Sequence, residues 1–525
     1  MTGNYLLRGA ALRTSLAIPL LLVLCGCANP VLNALDAQGE ESNKRDAAAM
    51  RHDVTAIAGP LTLNEAMARA LKYNLERRAK MMEEALALNQ LEVSSYDMLP
   101  RIIASAGYQG RNNDRISQSR KAGTDELVQS QYISQDQTHS LGELGLSWSL
   151  LDFGLGYHGA NQQADRVLVA SERRRKAMHL LLQDVRTAYW RAAAAQQLRS
   201  DVTRVITLAE GAMADSRKIE ESRMRNPLET LRYQRQILEN IRLLEAIDQE
   251  LSSAQIELAS LINSPLGQPI QVIESTTAET PSAALSVSIE RLEETALIHN
   301  PDLREQHYHR RIAAEEVRKT ILRMYPNLSF NYGIKYDSDS YLVNRGWNET
   351  GLQLSFNVFT LLTAPSQMKL ADAGVALADQ RRMAVRIAVL TQVHLARMQL
   401  LNASSQYARA LVIFETDRKI ADQASNREAA RVMSSLDRVT FETAAILSLL
   451  RRYQALSQVQ TAENRLMASI GLEPAVGSTG LLSLEELIQQ IKGNSNPWQG
   501  LMTPPATLHN GSEVSRPNLL AAPAT

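Results

Sequence analysis

Few residues in this 525-residue sequence are spaced as a reaction centre would require. The nine histidines are scattered, and His307 and His309 lie two positions apart, which on a helix directs them to different faces. Both cysteines, Cys25 and Cys27, lie close to the N-terminus, so the body of the chain has no thiol. G-x-S-x-G, Walker and H-E-x-x-H motifs do not occur. We therefore predict a protein that is not an enzyme and that has no cofactor and no metal site.

The N-terminal residues have the layout of a secretory signal peptide. Arg8 and Arg13 precede an apolar run, 16–24, that is too short to span a bilayer. The run ends in Leu-Cys-Gly-Cys27, which resembles a bacterial lipobox and predicts cleavage before Cys27 and acylation of that residue, with palmitate among the chains. The alternative is an ordinary signal peptide that contains two cysteines. In lipoproteins, an Asp at the next position would favour retention at the inner membrane, so Ala28 indicates the outer membrane.

Composition and charge narrow the class of protein further. Lys plus Arg and Asp plus Glu each number 56, and this balance argues against a nucleic-acid partner, for which a basic excess is typical. Only 6 Phe and 4 Trp accompany abundant Ala, Leu, Gln, Arg and Glu, which is typical of long helices with narrow apolar seams. After the signal peptide no apolar run approaches the ~18 residues of a membrane helix. Any further membrane crossing therefore requires β-strands.

The body of the chain is a duplicated unit. The segment Ala70–Asn74 aligns with Ala296–Asn300, and Leu258 aligns with Leu466. The offset between the copies is constant before 108 and constant again after 146, so one length difference within 108–146 accounts for the whole alignment. An alignment that needs a single gap over such a length predicts two copies of one structural unit.

Four segments alternate between apolar and small or polar residues with the period of a β-strand, namely 102–108, 144–150, 328–336 and 352–358. In the last of them, Leu352 and Leu354 alternate with Gln353 and Ser355. One interpretation is a half-buried sheet that packs on a core. The other is the wall of an outer-membrane β-barrel, with Leu354 toward lipid and Ser355 toward the lumen. In an exported lipoprotein we favour the barrel.

Closure of such a barrel predicts an oligomer. Four strands cannot close alone, because open edges would leave backbone N–H and C=O groups without partners in lipid. A dimer would supply eight strands, and an eight-stranded barrel is filled by its own side chains. A conduit therefore requires the twelve strands of a homotrimer.

Helical periodicity dominates the remaining sequence. Apolar residues spaced alternately by three and four extend over 185–213 and again over 393–421, which predicts a heptad seam in each copy. The proline-free stretch from Phe153 to Asn226 predicts a helix of roughly 100 Å. Helices at 63–99 and 228–262 have about the same summed length, so we expect two short helices stacked end to end beside one long helix. The predicted fold is mainly α, with a transmembrane β part continued by a long periplasmic coiled-coil barrel.

Three motifs occur in a fixed order along the first copy: Leu61-Thr62-Leu63-Asn64-Glu65-Ala66, then Leu99-Pro100 before a strand, then Leu150-Leu151-Asp152-Phe153-Gly154 before the long helix. In this order, and with the duplication, the chain resembles the outer-membrane efflux protein family of TolC and its lipoprotein relatives over 61–474. The resemblance implies a homotrimer with a twelve-stranded barrel and a periplasmic tunnel. It further implies a closed tip that is opened by a periplasmic adaptor (membrane fusion) protein, joined to an inner-membrane pump or ABC exporter.

The resemblance also assigns candidate residues at the tip of the tunnel. Glu229 and Asp437 follow an aliphatic residue at the equivalent position of each copy and are candidates for the tunnel gate. The alternative is that each is a carboxylate favoured at a helix start by the helix dipole. This chain has arginine where family turns often have glycine. The candidates for adaptor contact, which could equally be ordinary solvated surface, are Arg223, Met224, Arg225, Arg431, Val432 and Met433.

The predicted organisation is a signal peptide (1–26), a lipid-anchored linker (27–60), a first repeat (61–267), a second linker (268–288), a second repeat (289–474) and a tail (475–525) with one short amphipathic helix. We predict a passive outer-membrane duct of a tripartite export system, lipid-anchored, inserted among outer-membrane lipids and extending into the periplasm. Small molecules or drugs are the expected cargo; type I protein or polysaccharide secretion is the alternative. A structural periplasmic coiled-coil lipoprotein, a different class, would lack the strand alternation.

Overall fold

The computed structural model describes residues 36–120, 122–123, 127–221, 227–273, 283–472, 482–493, 498 and 501. The chain divides into two units. The first ends at Thr55, and its described part contains helix α1 (Asp36–Arg51), in a segment predicted to be a linker. An exposed i,i+4 ion pair, Lys44 to Glu40 at 2.9 Å, supports this polar helix. The second unit begins at Ala56 and contains both repeats.

Apart from one extra hairpin in the first repeat, the two repeats have the same order of elements, which confirms the duplication. The first contains α2 (Leu63–Tyr73), α3 (Leu75–Ser95), β1 (Arg101–Gly110), β2 (Ile116–Arg120), β3 (Leu127–Ile133), β4 (Thr138–Ser149), α4 (Leu150–Glu221) and α5 (Pro227–Leu261). The second contains α6 (Ile289–His299), α7 (Pro301–Leu322), β5 (Asn327–Asp337), β6 (Gly346–Ser355), α8 (Phe359–Ala429) and α9 (Ser435–Ile470). Helix α10 (Leu484–Gly493) is the short amphipathic helix predicted in the tail.

An extra hairpin in the first repeat accounts for the length difference between the copies. Strands β2 and β3 come between β1 and β4 in the sequence. They pair antiparallel with each other and form a separate two-stranded sheet. The hairpin extends from Ile116 to Ile133, and its length equals that of the gap in the alignment of the two copies. The strand pattern did not predict it, because neither strand alternates between apolar and polar residues.

The breaks between the short helices are built alike in the two copies. The Asn74 side chain accepts a hydrogen bond from the backbone N–H three positions later (2.9 Å) and donates to the carbonyl oxygen of Leu261 (3.1 Å). The equivalent Asn300 accepts from the N–H three positions later (3.1 Å) and donates to the carbonyl of Ser469 (2.8 Å). Each asparagine therefore caps one helix and ties the break to the end of α5 or α9.

The longest helices are α4, with 72 residues, and α8, with 71 residues. The predicted helix over 153–226 is confirmed as far as Glu221, with its start at Leu150; at about 1.5 Å per residue it is roughly 100 Å long. The first part of the heptad seam in each copy is buried, since Val185, Ala192 and Val393 are fully inaccessible. The second seam is only half-buried from Tyr407 onward. Among the described residues, no helix combines the length and the apolarity needed to cross a membrane.

A buried tyrosine fixes the middle of the helical body. The hydroxyl of Tyr189 lies 2.9 Å from the carbonyl oxygen of Leu61 and 2.5 Å from that of Ile273. Burial raises the pKa of Tyr189 to about 12, so the hydroxyl keeps the proton that it donates. Leu61 also pairs with Val272 in a parallel bridge. Part of the segment predicted as the second linker, 268–288, is therefore ordered against α4.

The four predicted strands form one antiparallel sheet in the order β1-β4-β5-β6. The central pair, β4 with β5, joins the two repeats, with Leu144 opposite Ile334. Strand β6 ends at Ser355, short of the predicted end at Val358. The side-chain oxygen of Asn357 accepts the N–H of Phe359 (3.1 Å) at the start of α8, and this contact ends the strand.

Candidate functional site

One face of the sheet is apolar, and no described part of the chain covers it. Ile102, Leu144, Phe330 and Leu352 are 69%, 48%, 43% and 73% exposed. The strand register places these four residues on the same face. Even-numbered residues lie opposite even-numbered residues in every strand pair of this sheet, as Phe330 lies opposite Leu352. A half-buried sheet on a core of its own chain would cover this face. The first interpretation of the strand alternation is therefore wrong for the described chain.

The opposite face of the sheet is polar and charged. Lys335 pairs with Glu349 at 2.6 Å and lies 3.8 Å from Glu143. Small residues accompany this group, because Gly145 lies opposite Gly333. The two faces therefore have the chemistry of a surface toward lipid and a surface toward water.

The polar face continues into a basic pocket where the sheet meets the helices. The charged residues that line this pocket are Arg101, Arg166, Lys319, Arg323, Asp97 and Asp152. Lys319 contacts the side-chain oxygen of Gln162 at 3.2 Å, and Arg323 pairs with Glu316 at 3.1 Å. Leu99, Pro100 and Leu155 line the same pocket, so the surface at the junction of strands and helices is mainly charged and polar but includes an apolar patch.

The described tip is the turn between α8 and α9, which contains Arg431, Val432 and Met433. Arg431 has a φ of 61°, and its N–H donates to the carbonyl of Glu428 at 2.8 Å. The N–H of Val432 donates to the carbonyl of Arg427 at 2.9 Å, which completes a Schellman motif. The left-handed position is the one where family turns often have glycine. Arg431 therefore adopts, at a cost, a backbone conformation that favours glycine.

Replacing Arg431 by glycine should make this turn more stable. A left-handed φ disfavours residues with a Cβ by about 1–2 kcal/mol, part of which is offset by the greater freedom of glycine in the unfolded chain. We expect a local gain of about 0.5–1 kcal/mol, seen as slower hydrogen exchange at the amides of residues 431 and 432. Arg427→Gly, placed inside the helix, is the control and should accelerate exchange there. Faster exchange in Arg431→Gly would contradict the assignment.

The two candidate gate residues both lie in the first turn of a helix and are exposed. Asp437 forms a capping arrangement in α9: its N–H donates to the Ser434 hydroxyl oxygen at 3.2 Å, and that hydroxyl donates to its carboxylate at 2.7 Å. Glu229 occupies the equivalent position in α5. Capping satisfies one oxygen of Asp437, and the side chain remains exposed. A helix-start role and a role at the gate are therefore compatible.

The structure places these carboxylates at different levels. Helices α5 and α9 both begin at the tip, and Asn240 contacts Thr440 (3.4 Å) while Glu250 contacts Gln454 (3.3 Å). In each contact, the α5 residue lies further from Glu229 than the α9 residue lies from Asp437. The difference is eight positions in the first contact and four in the second. At about 1.5 Å per residue, Glu229 extends about 6–12 Å beyond Asp437 along the helix axes.

Four predicted site residues lie outside the described part of the chain. These are the acylation candidate Cys27 and the tip residues Arg223, Met224 and Arg225.

The structure contains an ion-pair network near the tip that the sequence did not reveal. Arg438 pairs with Glu428 (3.1 Å) and with Glu442 (2.8 Å), and Glu442 also pairs with Arg204 of the first repeat at 2.5 Å. The hydrogen bond to Glu442 is the main cause that raises the pKa of Arg438. The i,i+4 spacing of 438 and 442 is the only sequence signal for it. The network ties the α8–α9 hairpin to α4.

No family model matches the sequence, and no curated protein matches it. Solved structures do match. The outer-membrane channel OprN is 15% identical with a TM-score of 0.59, over 78% of this chain and 90% of that chain. The CmeC outer membrane channel of Campylobacter jejuni is 13% identical with a TM-score of 0.61, over 82% and 89%. The open-state MtrE outer membrane channel of Neisseria gonorrhoeae is 14% identical with a TM-score of 0.59, over 78% and 89%. The chain therefore shares the fold of these outer-membrane channels.

Proposed function

We propose that this protein is the outer-membrane duct of a tripartite export system and that it works as a homotrimer. The observation that carries the proposal is the uncovered apolar face of a four-stranded sheet whose other face is charged. Such a sheet is stable in lipid only if its edges are paired, because unpaired backbone groups cost several kcal/mol each there.

Both edges of the sheet are free within the described chain. Every residue of β1 and of β6 is exposed, whereas the central strands are partly buried. If β6 of one copy pairs with β1 of the next, three copies form a closed barrel of twelve strands. The long helix α4, which follows β4, and helix α7, which precedes β5, would then belong to the periplasmic wall beneath it. A purely structural coiled-coil lipoprotein has no use for this uncovered face.

We propose small-molecule efflux as the transport class. The support is the resemblance of the motifs to efflux proteins and the fold shared with CmeC and MtrE, both outer membrane channels. A periplasmic adaptor protein would contact the helix turns at the tip, including Arg431, Val432 and Met433, and would connect the duct to an inner-membrane pump or ABC exporter. The duct itself performs no catalysis, and partners supply the energy.

We also propose a lipid anchor at Cys27. Replacing Cys27 by serine should abolish labelling of the protein with a fatty-acid analogue, because the acylated thiol is removed. Cys25→Ser is the matched control and should leave labelling unchanged. Export should continue in both variants, since barrel insertion anchors the protein more strongly than acyl chains do. Labelling that persists in Cys27→Ser would refute the anchor.

The proposed gate consists of two carboxylate rings. Threefold symmetry would repeat Glu229 and Asp437 around the tunnel axis, as two rings of three at levels about 6–12 Å apart. Confinement in a narrow throat strengthens the attraction of such rings for cations, and the repulsion within each ring favours a bound counter-ion. The entrance is therefore expected to select cations and to bind multivalent cations.

Removing these charges should relieve cation block of the channel. In single-channel recordings of the purified trimer, we expect the wild type to be cation-selective and blocked by divalent or trivalent cations from the periplasmic side. The double variant Glu229→Gln with Asp437→Asn should lose the block, while its amide groups preserve the capping contacts. Glu239→Gln, which removes an exposed carboxylate further along α5, is the control. Undiminished block in the double variant would show that these residues are helix-start carboxylates only.

A further inference from the structure

A histidine and two aspartates meet at the end of the sheet remote from the helices. His139 lies near the start of β4, Asp337 ends β5, and Asp339 follows in the loop to β6. The three residues are only 5%, 8% and 4% exposed, and one potential ligand atom of each lies within 4.8 Å of the others. The sequence prediction of no metal site missed this group, because its members come from different repeats and share no motif.

Backbone amides hold the two carboxylates in position. Asp337 Oδ1 accepts the N–H of Asp339 (3.0 Å) and lies 2.7 Å from His139 Nδ1. Asp339 Oδ1 accepts the N–H of Tyr341 and the N–H of Asp136, each at 3.1 Å. Each carboxylate keeps a second oxygen beyond these bonds. The carboxylates are thus oriented by the main chain before any ligand binds.

The imidazole is also oriented from its far side. The side-chain amide of Gln135 lies 2.9 Å from His139 Nε2. If the oxygen and nitrogen of this amide exchange places, the oxygen can accept the Nε2–H, which leaves Nδ1 free to bind a metal. Metal-binding histidines generally donate their other N–H to such an acceptor, which fixes the tautomer and the ring orientation.

The charges of the group favour a cation. A third carboxylate, Asp136, lies beside the cluster and accepts the N–H and the hydroxyl of Ser340, at 2.5 Å and 2.8 Å. Two groups that can carry positive charge, Arg345 and His139, interact electrostatically with Asp136. They face the negative charge of three carboxylates. Since a neutral imidazole is the form that binds metals, a divalent ion would supply the missing positive charge.

We propose that His139, Asp337 and Asp339 bind one divalent transition-metal ion per protomer, with Zn²⁺ as the best match. One imidazole nitrogen with two carboxylate oxygens suits Zn²⁺, whereas Ca²⁺ prefers oxygen ligands alone. Water would complete the coordination. Because His139 belongs to the first repeat and both aspartates belong to the second, the ion fastens the loops of the two repeats together. The proposed metal site does not depend on the oligomeric state or on the transport of cargo.

The test is metal binding to the purified full-length protein in detergent. After removal of metals by a chelator, Co²⁺ is added and its visible absorption followed, and Zn²⁺ is then used to displace it. We expect one Zn²⁺ per protomer, measured by elemental analysis. Asp339→Asn is the decisive variant, because an amide retains the oxygen that accepts the two N–H groups but is a poor metal ligand. It should lose the bound ion while keeping the fold.

Two further variants separate this site from other histidines of the chain. Gln135→Ala should weaken Zn²⁺ binding on the order of 10- to 100-fold, the range typical of groups that orient a ligand. His394→Gln removes another histidine that contacts a carboxylate, Glu293 at 2.7 Å, and should leave binding unchanged. Less than one ion per protomer in the wild type, or full binding in Asp339→Asn, would show that the cluster is a hydrogen-bonded loop anchor only.

Discussion

Replacing Leu352 by arginine is expected to prevent assembly of the channel. Leu352 is 73% exposed on the apolar face of β6, near the middle of the proposed lipid contact. An arginine close to the bilayer midplane on the outside of a barrel costs about 2–4 kcal/mol. Three copies carry the substitution, so the penalty applies three times per trimer. The measurement is the fraction of trimer that resists unfolding in detergent extracts of outer membranes.

Gln353→Arg is the matched control for this experiment. It introduces the same side chain at the next position of the strand, where the register directs it to the polar face beside Ser329. We expect normal assembly with altered conductance, since the arginine would lie in water. Equal assembly of the two variants would mean that the assignment of the faces is wrong.

Replacing Gly471 by alanine is expected to destabilise the second repeat by about 2–5 kcal/mol, the sum of backbone strain and a steric clash. Gly471 ends α9 with a φ of 72°, a conformation that disfavours any residue with a Cβ. A Cβ built there would lie 2.2 Å from the carbonyl oxygen of His299, so the backbone would have to move as well. Thermal unfolding of the purified protein measures the loss.

The first repeat provides the control for this prediction. Asn263 occupies the equivalent position at the end of α5, also with a left-handed φ, of 53°. Asn263→Gly should therefore have little effect or be slightly stabilising. Gly471→Asn, which inserts the residue that the first repeat tolerates, should be as harmful as Gly471→Ala. If Gly471→Asn is harmless, the close approach to His299 does not limit this position.

The repeated architecture could be predicted because local signals specify it twice. Asn74 and Asn300 are helix caps at equivalent positions of the two copies, and the heptad seam recurs with them. The alternation in 328–336 and 352–358 identified the strands, since period-two patterning is a local property. In contrast, the α1 segment was assigned to a linker, because segments 28–60 and 490–525 together are rich in Asn, Ala, Pro and Ser and the helix has no strong apolar face.

The features that were missed depend on contacts between distant segments. His139 and Asp337 come together only because β4 pairs with β5, and no short motif contains both. The difference in level between Glu229 and Asp437 depends on the axial offset between the two helical hairpins. The alignment of the two copies does not specify that offset. Arg431 shows the reverse case: the sequence revealed an unusual residue in the turn, and the left-handed φ supplied its physical meaning.

The proposed duct requires three chains in the native complex, and this number can be measured. In the proposed duct the sheet lies in lipid with its uncovered apolar face outward, so other copies must pair the free edges of β1 and β6. Native mass spectrometry of the complex extracted from outer membranes should therefore give the mass of three processed chains. A complex of one or two chains, or recovery of the protein without membranes, would contradict the proposed duct.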